Sequence, residues 1–563
     1  MDQPAAPRAR RGPSAYLSGP GIALGLAALI PLAFLTVFFA LPVGGMLARG
    51  LWPEGRLDLS AVPEVLGRAR TLRVLTFTLV SSLAGTVVTL LLGIPVAFVL
   101  YRLRFPGRTL LRAVVVMPFV LPTVVVGVMF RSLLSDGGPL GGLGLDGTWV
   151  PILLAFVFFN LAVVVRTVGG LWEGMDRRAE ESAATLGATP WQVWRTVTLP
   201  ALAPGVISAG TLVFLFCSTA FGVVLTLGGL RYGTIETEIY LLTVQFLDLQ
   251  GAAVLSVLQL VAVVAMLAVA ARARSTREQA LRRVDVRASA RRPRRDDTPA
   301  LAVTALVVGF VLLPVGTLVA RSLRVGQGWG LAHYRALTDP EATNALRVSV
   351  TEAMANSLRT AVDATVLAMI LGLVVAVIVS RRPRRPGWAR TVSVLDGVFM
   401  LPLGISAVTV GFGFLITLDR PPLDLRTSPI LVPIAQAMVA LPLVVRTLAP
   451  VLRSVDPRQR EAAATLGAGP WRAAWTAEAP VLARPLLAAT GFAFAVSLGE
   501  FGATSFLARP DRPTVPVVIY QLISRPGADH LGMALAASVL LALVTVVVMG
   551  VVERLRVGSV GAF

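Results

Sequence analysis

Residues 181–200 read ESAATLGATPWQVWRTVTLP, and residues 461–480 read EAAATLGAGPWRAAWTAEAP. Eleven of the twenty positions are identical, and each copy lies between long apolar runs. A polar segment repeated at an offset of 280 residues marks an internal duplication, and the offset holds elsewhere. VVVRTV (163–168) faces LVVRTL (443–448), AFGVV (220–224) faces EFGAT (500–504), and Ile239-Tyr240 faces Ile519-Tyr520. Upstream the register drifts: Pro118 and Gly127 match Pro402 and Gly411 at 284, and RFPGR (104–108) is similar to RRPGW (384–388).

The text between the copies belongs in a bilayer. Of the 563 residues, 55% are hydrophobic and 15% charged, and the apolar residues are gathered into blocks. About 20 apolar residues rising about 1.5 Å each cross the hydrocarbon core. Stretches of that kind lie near 21–45, 74–100, 110–131, 149–171, 202–227, 250–271, 300–320, 356–380, 391–417, 428–452, 482–507 and 531–552. The first follows RARR (8–11), but its apolar length of about 25 exceeds a signal peptide and indicates an anchored helix. Each half thus holds six spans. An even number returns the chain to its starting side, so the halves are parallel and related by a pseudo-two-fold along the membrane normal, with a pathway expected between them.

The expected architecture is all-α and integral to the membrane, with about twelve transmembrane helices in two tandem six-helix repeats. It divides into an N-terminal tail (1–20), a first half (21–271), an Arg-rich linker (272–298) and a second half (299–563). Orientation follows from the arginines. RARR, YRLRFPGRTLLR (101–112), MDRRAEE (175–181), the linker, RRPRRPGWAR (381–390), VDPRQRE (455–461) and VERLR (552–556) share one side, whereas SDGGPLGGLGLDGT (135–148) and its like carry few. Arg321, Arg324, Arg420 and Arg426 are exceptions on the other side. Both termini, the linker and the repeated segment are therefore predicted to be cytoplasmic.

Composition also excludes. The net charge of +20 comes wholly from arginine, since the chain has no lysine. The arginines fall between apolar runs instead of clustering with aromatics on a soluble face, so nucleic acid is not an expected partner. A phosphate-binding loop needs its lysine to reach the β and γ phosphates. If ATP drives this protein, ATP and Mg²⁺ sit on another polypeptide, and no cofactor is expected on this one. Cys217 is the single cysteine, and with only His333 and His530 beside it neither a disulfide nor a His/Cys metal site is expected. No clustered Ser/His/Asp or Cys/His set suggests catalysis.

The repeated segment has a readable shape. Asp176 and Asp456 can accept hydrogen bonds at a helix start. In the second copy Pro457 takes the favoured first position and Gln459 stands where a capping box wants it. A helix of about ten residues, about 15 Å long, should stop at Gly187 or Gly467 in the left-handed conformation. Thr189-Pro190 or Gly469-Pro470 then starts a second short helix, expected to end near Pro200 or Pro480. Such a segment could be an interfacial loop that merely connects spans. Its appearance in both halves favours a docking knob, because a two-fold transporter needs two equivalent partner contacts.

The pattern Glu, five residues, Gly, then Pro thirteen residues after that Gly resembles the EAA loop of ABC importer permeases. The first copy matches at Glu181, Ser182, Ala183, Gly187, Val197, Leu199 and Pro200, the second at Glu461, Ala462, Ala463, Gly467, Ala477, Ala479 and Pro480. Ser182 departs from the middle Ala, and Ala477 and Ala479 replace the usual Ile and Leu. The resemblance implies the type I ABC importer permease (MetI-like) fold, in the plasma membrane of a bacterium. It also implies a coupling helix in each half seated in a groove of an ABC ATPase, two ATPase copies, and an extracytoplasmic substrate-binding protein. YRLRFPGR (101–108), FVFFNL (156–161) and FCSTAFGVVLTLGGLRYGTIETEIY (216–240) are similar to the fused permeases of thiamine importers. SLGEFGAT (497–504) and RPTVPVVIY (512–520) resemble the wider sulfate, molybdate, thiamine and ferric-iron branch. The resemblance ranks thiamine or its phosphates first as cargo and ferric iron second. Molybdate and sulfate permeases usually come as separate single halves.

Polar residues within spans are candidates for the path. Glu500 stands between Gly499 and Gly502, which suggests a break in the eleventh span; Ser497, Thr504, Ser218 and Thr219 are its neighbours in the two halves. Glu500 could line a cation path, but the favoured reading is a carboxylate that accepts hydrogen bonds from backbone freed at the break. Pro118 and Pro402 should kink their spans. Asp363 and Asp396 either pair with arginine or line the path. Trp191 and Trp471 fit the headgroup level. An ion-driven secondary transporter is the rival class; it predicts deep acids in both halves, and the first half shows almost none.

Overall fold

A computed structural model describes residues 19–52, 55–229, 231–275, 290–339, 346–381, 386–419, 421 and 423–556. The N-terminal tail to residue 18, most of the linker (276–289) and the RPRR of 382–385 lie outside the described residues. In the first half the helices are α1 (Leu26–Leu51), α2 (Ala69–Arg102), α3 (Arg108–Val116), α4 (Thr123–Leu134) and α5 (Val150–Glu173). They continue with α6 (Arg178–Thr185), α7 (Pro190–Ser218), α8 (Gly222–Leu227), α9 (Ile235–Val244) and α10 (Leu249–Ser275). The second half repeats the series as α11 (Thr298–Ser322), α12 (Val350–Ser380), α13 (Pro386–Met400), α14 (Ala407–Thr417) and α15 (Leu431–Ser454). It ends with α16 (Pro457–Thr465), α17 (Pro470–Leu498), α18 (Thr504–Leu507), α19 (Val515–Ile523) and α20 (Ala528–Arg556).

Among the described residues ten helices are long and apolar enough to cross a membrane, eleven when α3 and α4 are taken as one bent span. The third span, expected at 110–131 with a kink at Pro118, is turned by 104° between residues 120 and 123. MPFVLP supplies the cause: neither Pro118 nor Pro122 can donate a backbone hydrogen bond, and Leu121, before Pro122, is extended at ψ 139°. The ninth span, expected whole over 391–417, is likewise divided at Leu401–Gly404, where Ile405 is extended and the Ser406 hydroxyl caps α14 by accepting the Thr409 N–H at 3.0 Å. Span eleven breaks after Leu498, where Gly499 and Gly502 led one to expect it, and span five stops at Ser218, before its expected end.

Packing follows the duplication. In each half three helices form the core, α2, α5 and α7 in the first, α12, α15 and α17 in the second. The first helix of each half crosses to the other core. Leu35 of α1 is buried among Ala364, Val410 and Phe414 of the second half. In return Phe310 of α11 packs on Phe130 and Phe158 of the first half, at 6.1 and 6.2 Å between ring centres. Close approach explains Gly45: a Cβ there would stand 2.0 Å from Cγ2 of Thr417 on α14. The reciprocal exchange makes the halves one body, because neither core can bury its apolar surface without the other's first helix.

Candidate functional site

The two repeated segments fold alike. Asp176 Oδ1 accepts the Arg178 N–H at 2.9 Å, and Asp456 Oδ1 accepts the Arg458 N–H at 2.9 Å. At the other end Gly187 and Gly467 adopt φ of +87° and +85°. The Ala188 N–H then reaches the Ala183 carbonyl at 3.1 Å and the Ala468 N–H reaches that of Ala463 at 3.0 Å. Companion bonds from Gly187 to Ala184 and from Gly467 to Ala464, both 3.0 Å, complete a Schellman motif in each copy. Each knob is thus a helix of eight or nine residues, a left-handed glycine, and a second helix at an angle set by that turn.

Two expectations about the segment are corrected. The reciprocal capping box lies at Thr189 and Gln192 of the first copy, where Gln192 Oε1 accepts the Thr189 N–H at 2.8 Å. Gln459 makes no such box, because the side chain of Asp456 is turned to Arg458. The second helix does not end at Pro200 or Pro480 but runs on into α7 and α17. In α7 a wide turn over Trp194–Thr198 precedes Pro200, with the Leu199 N–H bonded to the Trp194 carbonyl. A proline forfeits one backbone bond, whereas ending the helix at the membrane would orphan several, so the helix persists.

What the knobs present is mostly apolar. Leu186 is 88% exposed and Leu466 89%, with Trp191 and Trp471 at 68% and 66% beside them. Glu181 is exposed and sits 3.7 Å from Arg177 one turn earlier, while Glu461 holds the same place on the second knob.

Beneath each knob a buried charge cluster ties it to the bundle. Arg102, at the end of α2, is 4% exposed; it donates to the Glu180 carboxylate and to the Met175 carbonyl at 3.1 Å. Glu180 in turn accepts from Thr198 Oγ1 at 3.0 Å. In the second half Arg381, just past α12, donates to Glu478 at 2.9 Å, and Arg460 lies 3.4 Å from the same carboxylate. At the offset of 280, Glu180 faces Arg460 and Thr198 faces Glu478. The acid has moved from the knob helix to the following helix, and a base has taken its place. The end of the linker is stitched to the first cluster: Arg291 N–H donates to the Arg102 carbonyl at 3.0 Å, and the Arg291 guanidinium forks Asp297 at 2.6 Å twice.

About 30 Å along α7 from Leu199, both halves break again. In the second half the break is held by Glu500, whose Oε1 accepts the Ala503 N–H at 2.7 Å and Oε2 the Thr504 N–H at 3.0 Å. Thr504 Oγ1 donates back to the Glu500 carbonyl at 2.9 Å. Ser497 is buried, and its hydroxyl makes no hydrogen bond among the described residues. In the first half Ser218 and Thr219 both donate to the Leu215 carbonyl at 2.9 Å, and Thr234 Oγ1 meets the Ala220 carbonyl at 3.0 Å. The two breaks touch: Phe221 and Phe501 stack at 5.3 Å with 23° between planes.

The charge clusters and the stacked rings were not foreseen as functional groups. The exchange of 180 with 460 and of 198 with 478 was visible at the repeat offset, as was the match of Phe221 with Phe501. The expectation of almost no deep acid in the first half is also corrected. Glu236 on α9 is fully buried, accepts from Gln259, and takes the Ser406 hydroxyl of the second half at 2.8 Å; Glu238 is buried against Arg70 at 2.6 Å. TIETEIY is short and polar, with no apolar run of spanning length to mark it as part of the core, which hid its acids. Asp396 pairs with Arg453 at 3.2 Å, and Asp363 is exposed on α12.

Residues 89–277 and 368–556 each match the family described as binding-protein-dependent transport system inner membrane component. The Escherichia coli thiamine transport system permease protein ThiP is 28% identical over 466 residues, covering 80% of this chain and 83% of that one. The Brucella abortus protein of the same name is 28% identical over 497 residues, covering 83% and 85%. The Escherichia coli sulfate transport system permease protein CysT is 32% identical over 216 residues, 37% of this chain and 76% of CysT. With the family domain present in both halves, this chain belongs to the inner membrane components of binding-protein-dependent transport systems, as a fused two-half permease.

Proposed function

We propose that the chain is the permease of an ATP-driven importer of thiamine or its phosphates. Family membership, not a lack of buried acids, separates it from an ion-driven transporter. The observation that carries the drive is the pair of equivalent knobs, each with an exposed Leu and Trp at its tip. A large exposed apolar side chain at the end of a rigid polar helix suits a groove on a partner. The partner is an ABC ATPase in two copies, which holds the ATP and Mg²⁺, with Glu181, Ala183, Gly187 and Pro200, and Glu461, Ala463, Gly467 and Pro480, forming the two coupling loops. The knob face and both termini are cytoplasmic, in keeping with the arginine bias. A substrate-binding protein delivers cargo at the opposite end.

In this mechanism ATP draws the two ATPases together, and each knob follows its groove as a rigid body. The charge clusters pass that motion to the ends of α2 and α12, and the halves exchange which end of the path is open. Glu500 caps α18 across the break, and Ser218, Thr219, Ser497 and Thr504 flank the path there. Thiamine is favoured because the ThiP relatives match along both halves. The test is uptake of radiolabelled thiamine by proteoliposomes that contain the permease with its ATPase and binding protein. ATP-dependent uptake is expected; a binding protein that purifies with another cargo, and no thiamine uptake, would overturn the reading.

A further inference from the structure

Four aromatic side chains close the end of the bundle far from the knobs. Phe221 stacks on Phe501; Tyr240 meets Phe221 edge-on at 5.4 Å, and Tyr520 packs on Phe501 at 5.5 Å. The members are equivalent pairs, since 221 and 501, and 240 and 520, are each 280 residues apart. Two residues related by a pseudo-two-fold can touch only where they lie on its axis. The path between parallel halves runs along that same axis. Phe221 and Phe501 are 6% and 2% exposed, so the rings occupy the axis and leave no opening there.

The chemistry around the rings is selective. Residues 216–229 and 495–508, which carry both breaks, contain one acid, Glu500, and no arginine, although the chain has 51 basic residues. Neither segment supplies a basic side chain to pair with an anion. Ring faces attract cations, and they stack on planar heteroaromatic groups. We infer that Phe221, Phe501, Tyr240 and Tyr520 form an outer gate that opens for a cationic, heteroaromatic cargo by exchanging ring-to-ring contacts for ring-to-cargo contacts. The cargo class rests on the function proposed above; the seal itself rests on geometry alone.

The test uses the full complex in proteoliposomes, with radiolabelled thiamine as the probe. Phe221→Leu with Phe501→Leu removes the ring faces but keeps apolar bulk. It is expected to raise the KM for thiamine about tenfold, a loss equal to one or two cation–ring contacts, and to let thiamine leak down its gradient without ATP. A leucine pair with wild-type KM and no leak overturns the inference. If wild type imports no thiamine, the proposed cargo falls, yet the ATP-free leak of the leucine pair still decides whether the rings seal the path. Should the leucine pair fail to assemble, Phe221→Cys with Phe501→Cys in a Cys217→Ser background replaces it. A short bifunctional thiol reagent is expected to join the two and stop uptake; no cross-link would overturn the seal.

Discussion

The knob of the first half and the knob of the second share one backbone and differ in the charges that hold it. Both use an Asp cap, a glycine at φ near +86°, and the same pair of closing hydrogen bonds. Below that backbone, Glu180 serves one basic group, Arg102, whereas Glu478 serves two, Arg381 and Arg460. The duplication preserved the shape that a partner would meet and let the internal electrostatics drift, provided that an acid and an arginine still meet at the junction of the three helices.

The sharpest way to break this comparison is to remove the arginines. Arg102→Ala leaves a largely buried carboxylate without its guanidinium, a loss of about 3–5 kcal/mol. Arg381→Ala leaves Glu478 with Arg460, and Arg381 is itself 28% exposed, so a loss of about 1–2 kcal/mol is expected. Thermal unfolding of the purified complexes should rank them in that order; equal losses would contradict the account of the two clusters. Next in size is a transplant. Glu180→Arg alone sets two buried arginines together and should abolish uptake, whereas Glu180→Arg with Thr198→Glu copies the second half's arrangement and should recover most of it. A double variant no better than the single would show that the clusters are not interchangeable.

The smallest effects test what the knobs share. Gly187→Ala and Gly467→Ala should each cost about 1 kcal/mol and cost it equally, since both positions are left-handed. Thr189→Gly removes a side-chain cap that the second copy lacks, and only a few tenths of a kcal/mol should follow, about the difference between those caps. Both can be read from the unfolding midpoint of the purified complex.

The sequence showed the knobs well because their shape is local: Asp, Gly and Pro act on backbone within a few residues, and the repeat offset confirmed each one. Span counting found ten of the twelve expected stretches as long apolar helices among the described residues, since apolar length is additive along the chain. It failed where one residue overrules a hydropathy average. Pro122 turned an apolar run through 104°, and the wide turn before Pro200 carried a helix past a residue expected to end it. The charge clusters were hidden for another reason. Arg102 and Glu180 are 78 residues apart, and nothing local to either announces the other. Glu236 was hidden in the same way, since its partner Ser406 belongs to the other half.

The central claim is that the two knobs deliver the partner's motion to the bundle. Gly187→Pro with Gly467→Pro tests it most directly, because proline holds φ near −65° and cannot take the left-handed turn. Both sites are on exposed knobs, so the membrane core should fold as before. Measured as ATPase retained on the purified permease together with ATP-dependent uptake in proteoliposomes, the account predicts loss of both. A double variant that keeps the ATPase bound and transports at the wild-type rate would contradict it.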